Sequence, residues 1–143
     1  MSSTPPPPNK TEDKPPSPET MRAVMWEGKV MEVVVRDVPR PTLQLPEDAI
    51  VRLTTAAICG SDLHIYHGFL GSRTPPWSMG HEGVGVVVEV GAATEHFKVG
   101  DRVIIPAVGD TGFYAAQSAL TPLHGLYGGG PDFGDLGGCQ GES

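Results

Sequence analysis

Cys59-Gly60-Ser61-Asp62-Leu63-His64 and Gly80-His81-Glu82-Gly83 are the two short clusters on which the reading of this chain turns. Between them they offer a thiol, two imidazoles, two carboxylates and a hydroxyl. Zinc is bound by thiolate and imidazole, and a catalytic zinc keeps three protein ligands and one open position. Cys59 and His81 are two donors of that type. Asp62 could accept the second N–H of His81 and fix its tautomer. Ser61 could carry a proton from a substrate alcohol towards His64, since imidazole exchanges protons near neutral pH. Plainer alternatives exist: Cys59 as a small buried hydrophobe, Ser61 as a helix cap, His64 as an exposed helix residue. The co-occurrence of the two clusters favours the site. His67, three residues after His64, is left out, because one helix face without further ligands makes no site.

Working outward, the flanks read as strands. Asp48 to Ile58 is rich in β-branched and apolar residues and runs straight into Cys59. Ser61 is expected to cap a short helix, with Asp62 in its first turn and an end near Gly68. Residues 69–80 read as a loop held down by Trp77 and Met79. Val84 to Val90 is a strand in which Gly85 predicts a bulge or a close backbone approach. Gly100-Asp101 turns the chain into a strand over Arg102 to Ile105. Upstream, Met21 to Trp26 and Val30 to Val38 read as a hairpin around Glu27-Gly28-Lys29. Phe113 to Leu120 could form a turn or two of helix. Gly125 to Gly138 reads as an extended loop. The body is therefore mainly β with short helices, a barrel or a sandwich.

Composition narrows the classes of function. Residues 1–20 carry a run of prolines from Pro5 to Pro8 and no apolar side chain after Met1 other than proline. Such a segment cannot bury enough surface to offset its ordering entropy, so a disordered, polyproline-like tail is expected. It reads as a linker before it reads as an SH3 or WW ligand. No run of about 18 apolar residues predicts a transmembrane helix, and no signal or transit peptide is evident. Cytoplasmic localisation is the expectation. The formal net charge is −7, and no Lys or Arg follows Arg102. A nucleic-acid partner is therefore not expected, nor is a membrane. Two cysteines, Cys59 and Cys139, make neither a disulfide scaffold nor a four-cysteine zinc lobe, and a bridge between them is disfavoured. The glycines at 80, 83 and 85 precede a strand and are not followed by a helix, so a phosphate loop fails on context.

Together, Cys59-Gly60-Ser61-Asp62-Leu63-His64, Gly80-His81-Glu82-Gly83-Val84-Gly85, Val90-Gly91 and Val99-Gly100-Asp101-Arg102-Val103 resemble the N-terminal, GroES-like domain of zinc-dependent alcohol dehydrogenases. These belong to the medium-chain dehydrogenase/reductase superfamily. Four motifs occur in order over about Met21 to Pro106. Gly137-Gly138-Cys139-Gln140-Gly141-Glu142 is similar to a later part of the domain in members near formaldehyde, threonine and sorbitol dehydrogenases. The resemblance implies a partly open GroES-like β-barrel, incomplete at the C-terminus, over 21–143 with 107–143 loosely structured. It implies Cys59, His81 and Glu82 as the metal set, Ser61 and His64 as a proton relay, and Asp62 behind them. It implies Zn2+ and NAD(P) as cofactors, and an alcohol or aldehyde as the small-molecule partner, with zinc polarising the oxygen and NAD(P) taking the hydride. The family's further zinc ligand, structural zinc lobe, coenzyme domain and oligomer interface have no counterpart in this sequence. A truncated member, inactive by itself, is thus the expectation. The competing expectation is an inactive GroES-like module that binds a partner or holds metal weakly.

Overall fold

Alternation of small or apolar residues with charged ones sets up the first sheet. In β1 (Thr20–Trp26) Met21, Ala23 and Trp26 are buried while Arg22 faces solvent. The computed structural model describes residues 19–108, 125–133 and 137–142. Of the tail expected over 1–20, residues 1–18 lie outside them and Thr20 already opens β1; the expected helix over 113–120 also lies outside them. β1 pairs antiparallel with β2 (Val34–Pro39), from Thr20 opposite Pro39 to Met25 opposite Val34. The hairpin loop is longer than the sequence suggests. Met31 takes a left-handed φ of 61° and its N–H bonds the Tyr66 carbonyl at 2.7 Å, so the loop is tied across to the helix before the strand begins.

The second sheet has the order β3 (Ala49–Ala56), β5 (Gly83–Val90), β6 (Arg102–Ile105), all antiparallel neighbours. Its irregularity falls where glycine predicts it. The β3–β5 register shifts between Leu53 and Thr55, and a Cβ on Gly85 would stand 2.5 Å from the Arg52 carbonyl oxygen. Two short elements are absent from the sequence reading, a 3-10 turn at Pro131–Phe133 and one strand. Trp77–Ser78 forms a two-residue strand, β4, opposite Met25 and Trp26, on the side of β1 away from β2.

Between β3 and β4 in the chain comes α1 (Gly60–Tyr66), and here the expected cap is corrected. Cys59, extended at φ −92° and ψ 164°, is the N-cap; Ser61 lies inside the first turn. The Asp62 carboxylate reaches back to the Cys59 N–H at 2.9 Å, which completes a capping box and displaces Ser61 from that role. The helix ends as predicted, with Gly68 at φ +75° donating to the Ile65 carbonyl at 2.8 Å.

Trp26, Ile65, Trp77 and Met79 form the core, with Val24 against it. The two indoles meet at a centroid distance of 6.2 Å and a tilt of 55°. The glycine-rich C-terminal stretch, expected to be loose, is buried at Gly125, Gly128 to Gly130, Gly138 and Cys139, while Pro131, Asp132 and Gly137 are exposed. Trp77 Nε1 donates to the Gly128 carbonyl at 2.9 Å, and Gly128, Gly129 and Gly130 are buried. Residues 137–142 then cross β1 and β4 as a strap. Cys139 N–H bonds the Gly80 carbonyl, Gln140 N–H the Met79 carbonyl, and Val24 N–H the Gln140 carbonyl, all at 2.8 to 2.9 Å. Ala23 bridges Gly141. On the side of this stretch the packing uses backbone groups and glycines, met by side chains such as Trp77 and Ser78, which is why composition alone misreads it. No helix among the described residues is long and apolar enough to cross a membrane.

Candidate metal centre

The site forms where β3 hands over to α1 and β4 to β5. The end of β3 presents Cys59, and the capping requirement of α1 fixes its backbone. Gly80, at φ +96°, turns the second segment so that His81 points inward. His81 and Asp62 are 5% and 3% exposed, so neither keeps a full water shell.

Their geometry assigns the imidazole. His81 Nδ1 lies 3.2 Å from Asp62 Oδ1, and Nε2 lies 2.9 Å from Ser61 Oγ. Asp62 Oδ1 is buried and has no other polar partner; its contact with Nδ1 has ionic distance without good hydrogen-bond geometry. The carboxylate makes Nδ1 the protonated nitrogen and leaves the Nε2 lone pair to face the cluster, where only a hydroxyl meets it.

Cys59 Sγ, a His81 ring nitrogen and a Glu82 carboxylate oxygen all lie within 4.8 Å of one another, the one such group of three among the described residues. Hydrogen bonds from the Ser61 hydroxyl and backbone N–H hold the Cys59 thiol below its ordinary pKa; partial burial and the Glu82 charge push the other way. A thiol biased to thiolate, an imidazole whose second nitrogen faces a carboxylate, and an exposed carboxylate match the donor chemistry of a zinc site. The residues fit the ion.

Of the residues expected at the site, the structure brings Cys59, Ser61, Asp62, His81 and Glu82 together. His64 sits on the exposed side of α1 and makes no hydrogen bond to Ser61 among the described residues. His67 stacks edge-on with Tyr66 at 5.5 Å, outside the cluster, as expected. Cys59 and Cys139 are both free thiols. One participant is missing from the sequence reading. Gln140 Nε2 donates to Asp62 Oδ2 at 3.3 Å. The resemblance marks residues 137–142, but nothing in the sequence says that they return to Asp62.

Known proteins resemble this chain in sequence and fold. Residues 45–142 match the model of the alcohol dehydrogenase GroES-like domain. A zinc-type alcohol dehydrogenase-like protein of Bacillus subtilis is 48% identical over 60% of this chain and 22% of its own length. An alcohol dehydrogenase of a Thermus species superposes with a TM-score of 0.74 at 43% identity, over 85% of this chain and 36% of that one. A zinc-binding dehydrogenase of Sinorhizobium meliloti, solved with NADP, gives 0.64 at 30% identity over 86% and 35%. The chain thus spans only about a fifth to a third of these relatives. The matched domain, the two mainly antiparallel sheets and the clustered donors agree in one assignment: this chain belongs to the alcohol dehydrogenase GroES-like domain family of the medium-chain, zinc-type dehydrogenases.

Proposed function

We propose that the chain forms the metal-holding part of a zinc- and NAD(P)-linked alcohol dehydrogenase, with Cys59, His81 and Glu82 as its ligands. The observation that carries this is the approach of those three donors to within 4.8 Å, backed by Asp62 against His81. Zinc, when bound, supplies the Lewis acidity that favours loss of the hydroxyl proton of an alcohol. The chain's own residues prepare the rest. Asp62 keeps the proton of His81 on Nδ1. Ser61 Oγ, which meets the cluster at His81 Nε2, accepts the substrate hydroxyl proton as it releases its own by way of solvent to His64, on the exposed side of α1. A nicotinamide coenzyme supplies the hydride acceptor. The support for it is the NADP-bound relative, and no residue of this chain is assigned to it.

Within the family we place the chain near formaldehyde, threonine and sorbitol dehydrogenases, on the motif at 137–142, and in the cytoplasm, where two unbridged thiols persist. Metal analysis of the purified chain tests the central claim. One zinc per chain is expected, lost in Cys59→Ser and in His81→Ala. A folded wild-type chain with zinc at background would overturn it.

A further inference from the structure

Asp62 is gripped on one oxygen and aims the other. Oδ2 accepts the Cys59 N–H at 2.9 Å and the Gln140 side-chain amide at 3.3 Å, while Oδ1 faces His81 Nδ1. A carboxylate oxygen only accepts, so the Gln140 side chain must present its NH2 here. With the Cys59 donor alone, the carboxylate could swing about that single bond, and Oδ1 would lose its heading towards the ring.

Gln140 is itself held. Its N–H bonds the Met79 carbonyl and its carbonyl accepts from Val24, so both ends of its backbone are fixed to the core. Its side chain passes over Gly80, where a Cβ would come within 2.5 Å of Gln140 Cγ and 2.7 Å of Gln140 N. Gly80 is therefore a cradle for Gln140, directly beside His81.

We propose that Gln140 is a positioning residue for the metal centre: its amide orients Asp62 on His81 and so sets the direction of Nε2. The inference rests on Cys59, His81 and Glu82 being a metal site. Gln140 is not part of the three-donor group and acts through Asp62 alone.

Titration of the metal-free 143-residue chain with Co2+, followed by the thiolate-to-cobalt absorption of Cys59, tests it. Gln140→Met removes the donor at similar volume, and Gln140→Asn keeps the amide but withdraws it by one methylene. Both are expected to weaken Co2+ about 3- to 10-fold, below the ~10–100-fold typical when a group touching the ligand itself is lost. Both should also change the ligand-field bands that report geometry at the ion. Arg22→Gln loosens the same strap at Glu142 without touching Asp62, and should keep Co2+ affinity within about twofold. In an Asp62→Asn background Gln140→Met should add no further loss, since its route is gone.

Affinity and bands unchanged in Gln140→Met overturn the inference and leave the metal site standing. No thiolate–cobalt absorption in the folded wild-type chain overturns the site reading, and the inference with it. Should Gln140→Met fail to fold by circular dichroism, Gln140→Asn decides by the same two readouts.

Discussion

Two cysteines in one small domain are driven apart chemically by their surroundings. The Cys59 thiol is lowered by hydrogen bonds, first of all from Ser61. Cys139, 2% exposed, is pushed up to about 11 by burial and by the Asp62 charge. In the metal-free chain, alkylation of Cys59 should therefore reach its plateau at a lower pH than that of a free thiol, with Cys139 unlabelled until the chain unfolds. Peptide mapping after iodoacetamide treatment across a pH series checks both. The linkage follows from the signs. Cys139 is an acid whose pKa rises on folding, so its contribution is complete below the ordinary thiol value and fades as pH climbs towards about 11. Urea denaturation on the alkaline side should show wild type losing stability faster than Cys139→Ala. Parallel losses would show that Cys139 does not titrate within the fold. Cys59 has the opposite sign: its contribution is lost as pH falls through its lowered value.

At the scale of elements, glycine is where local backbone demand can be separated from composition. Gly80→Ala meets two obstacles at once, a φ of +96° and the Gln140 backbone nitrogen at 2.7 Å, which cannot swing aside. A cost of about 2–4 kcal/mol is expected, together with loss of zinc. Gly60, in the first turn of α1, has nothing within 4 Å of an added Cβ. Gly60→Ala should be neutral or should stabilise by up to ~1 kcal/mol. Equilibrium unfolding of the two variants side by side decides; equal effects would refute the distinction. The same contrast explains what the sequence discloses. β3, β5 and β6 are runs rich in β-branched residues, β3 following the Pro46 loop, β5 running up to Gly91 and β6 following Gly100, and they stand within a few residues of their expected limits. The Cys59 and His81 clusters are legible because each is short and carries its own turn. β4 is not, since two residues have no periodicity. The N-cap is misread because the helix starts before Ser61: Cys59 takes the extended cap conformation and its own N–H is held by the Asp62 carboxylate. Gln140 at the site is illegible in principle, because its partner is 78 positions away.

For the whole molecule, the question is what makes the strap at 137–142 part of the fold. Its sequence has almost no side-chain signal, yet Gly138 packs so tightly that an added Cβ would stand 2.1 Å from the Met79 carbonyl oxygen. It provides donors to the Gly80, Met79 and Arg22 carbonyls and an acceptor for the Val24 N–H. Arg22 and Glu142 close its end with an ion pair at 3.0 Å, largely in solvent and therefore a minor contributor. Removing residues 137–143 would strip those four backbone groups of their partners, two of them on the buried Met79 and Gly80, one on the half-buried Val24 and one on the exposed Arg22. Each such group costs about 1–3 kcal/mol when water cannot replace the partner, against a total of ~5–15 kcal/mol for a domain. The deletion is therefore expected to abolish a cooperative thermal transition, with amide exchange at Val24 rising to near the unfolded rate. Disorder would not be confined to the strap, since Val24 and Met79 belong to the same core as Trp26 and Trp77. A deleted chain that melts cooperatively within ~5 °C of wild type would show that the two sheets hold His81 in place without the strap.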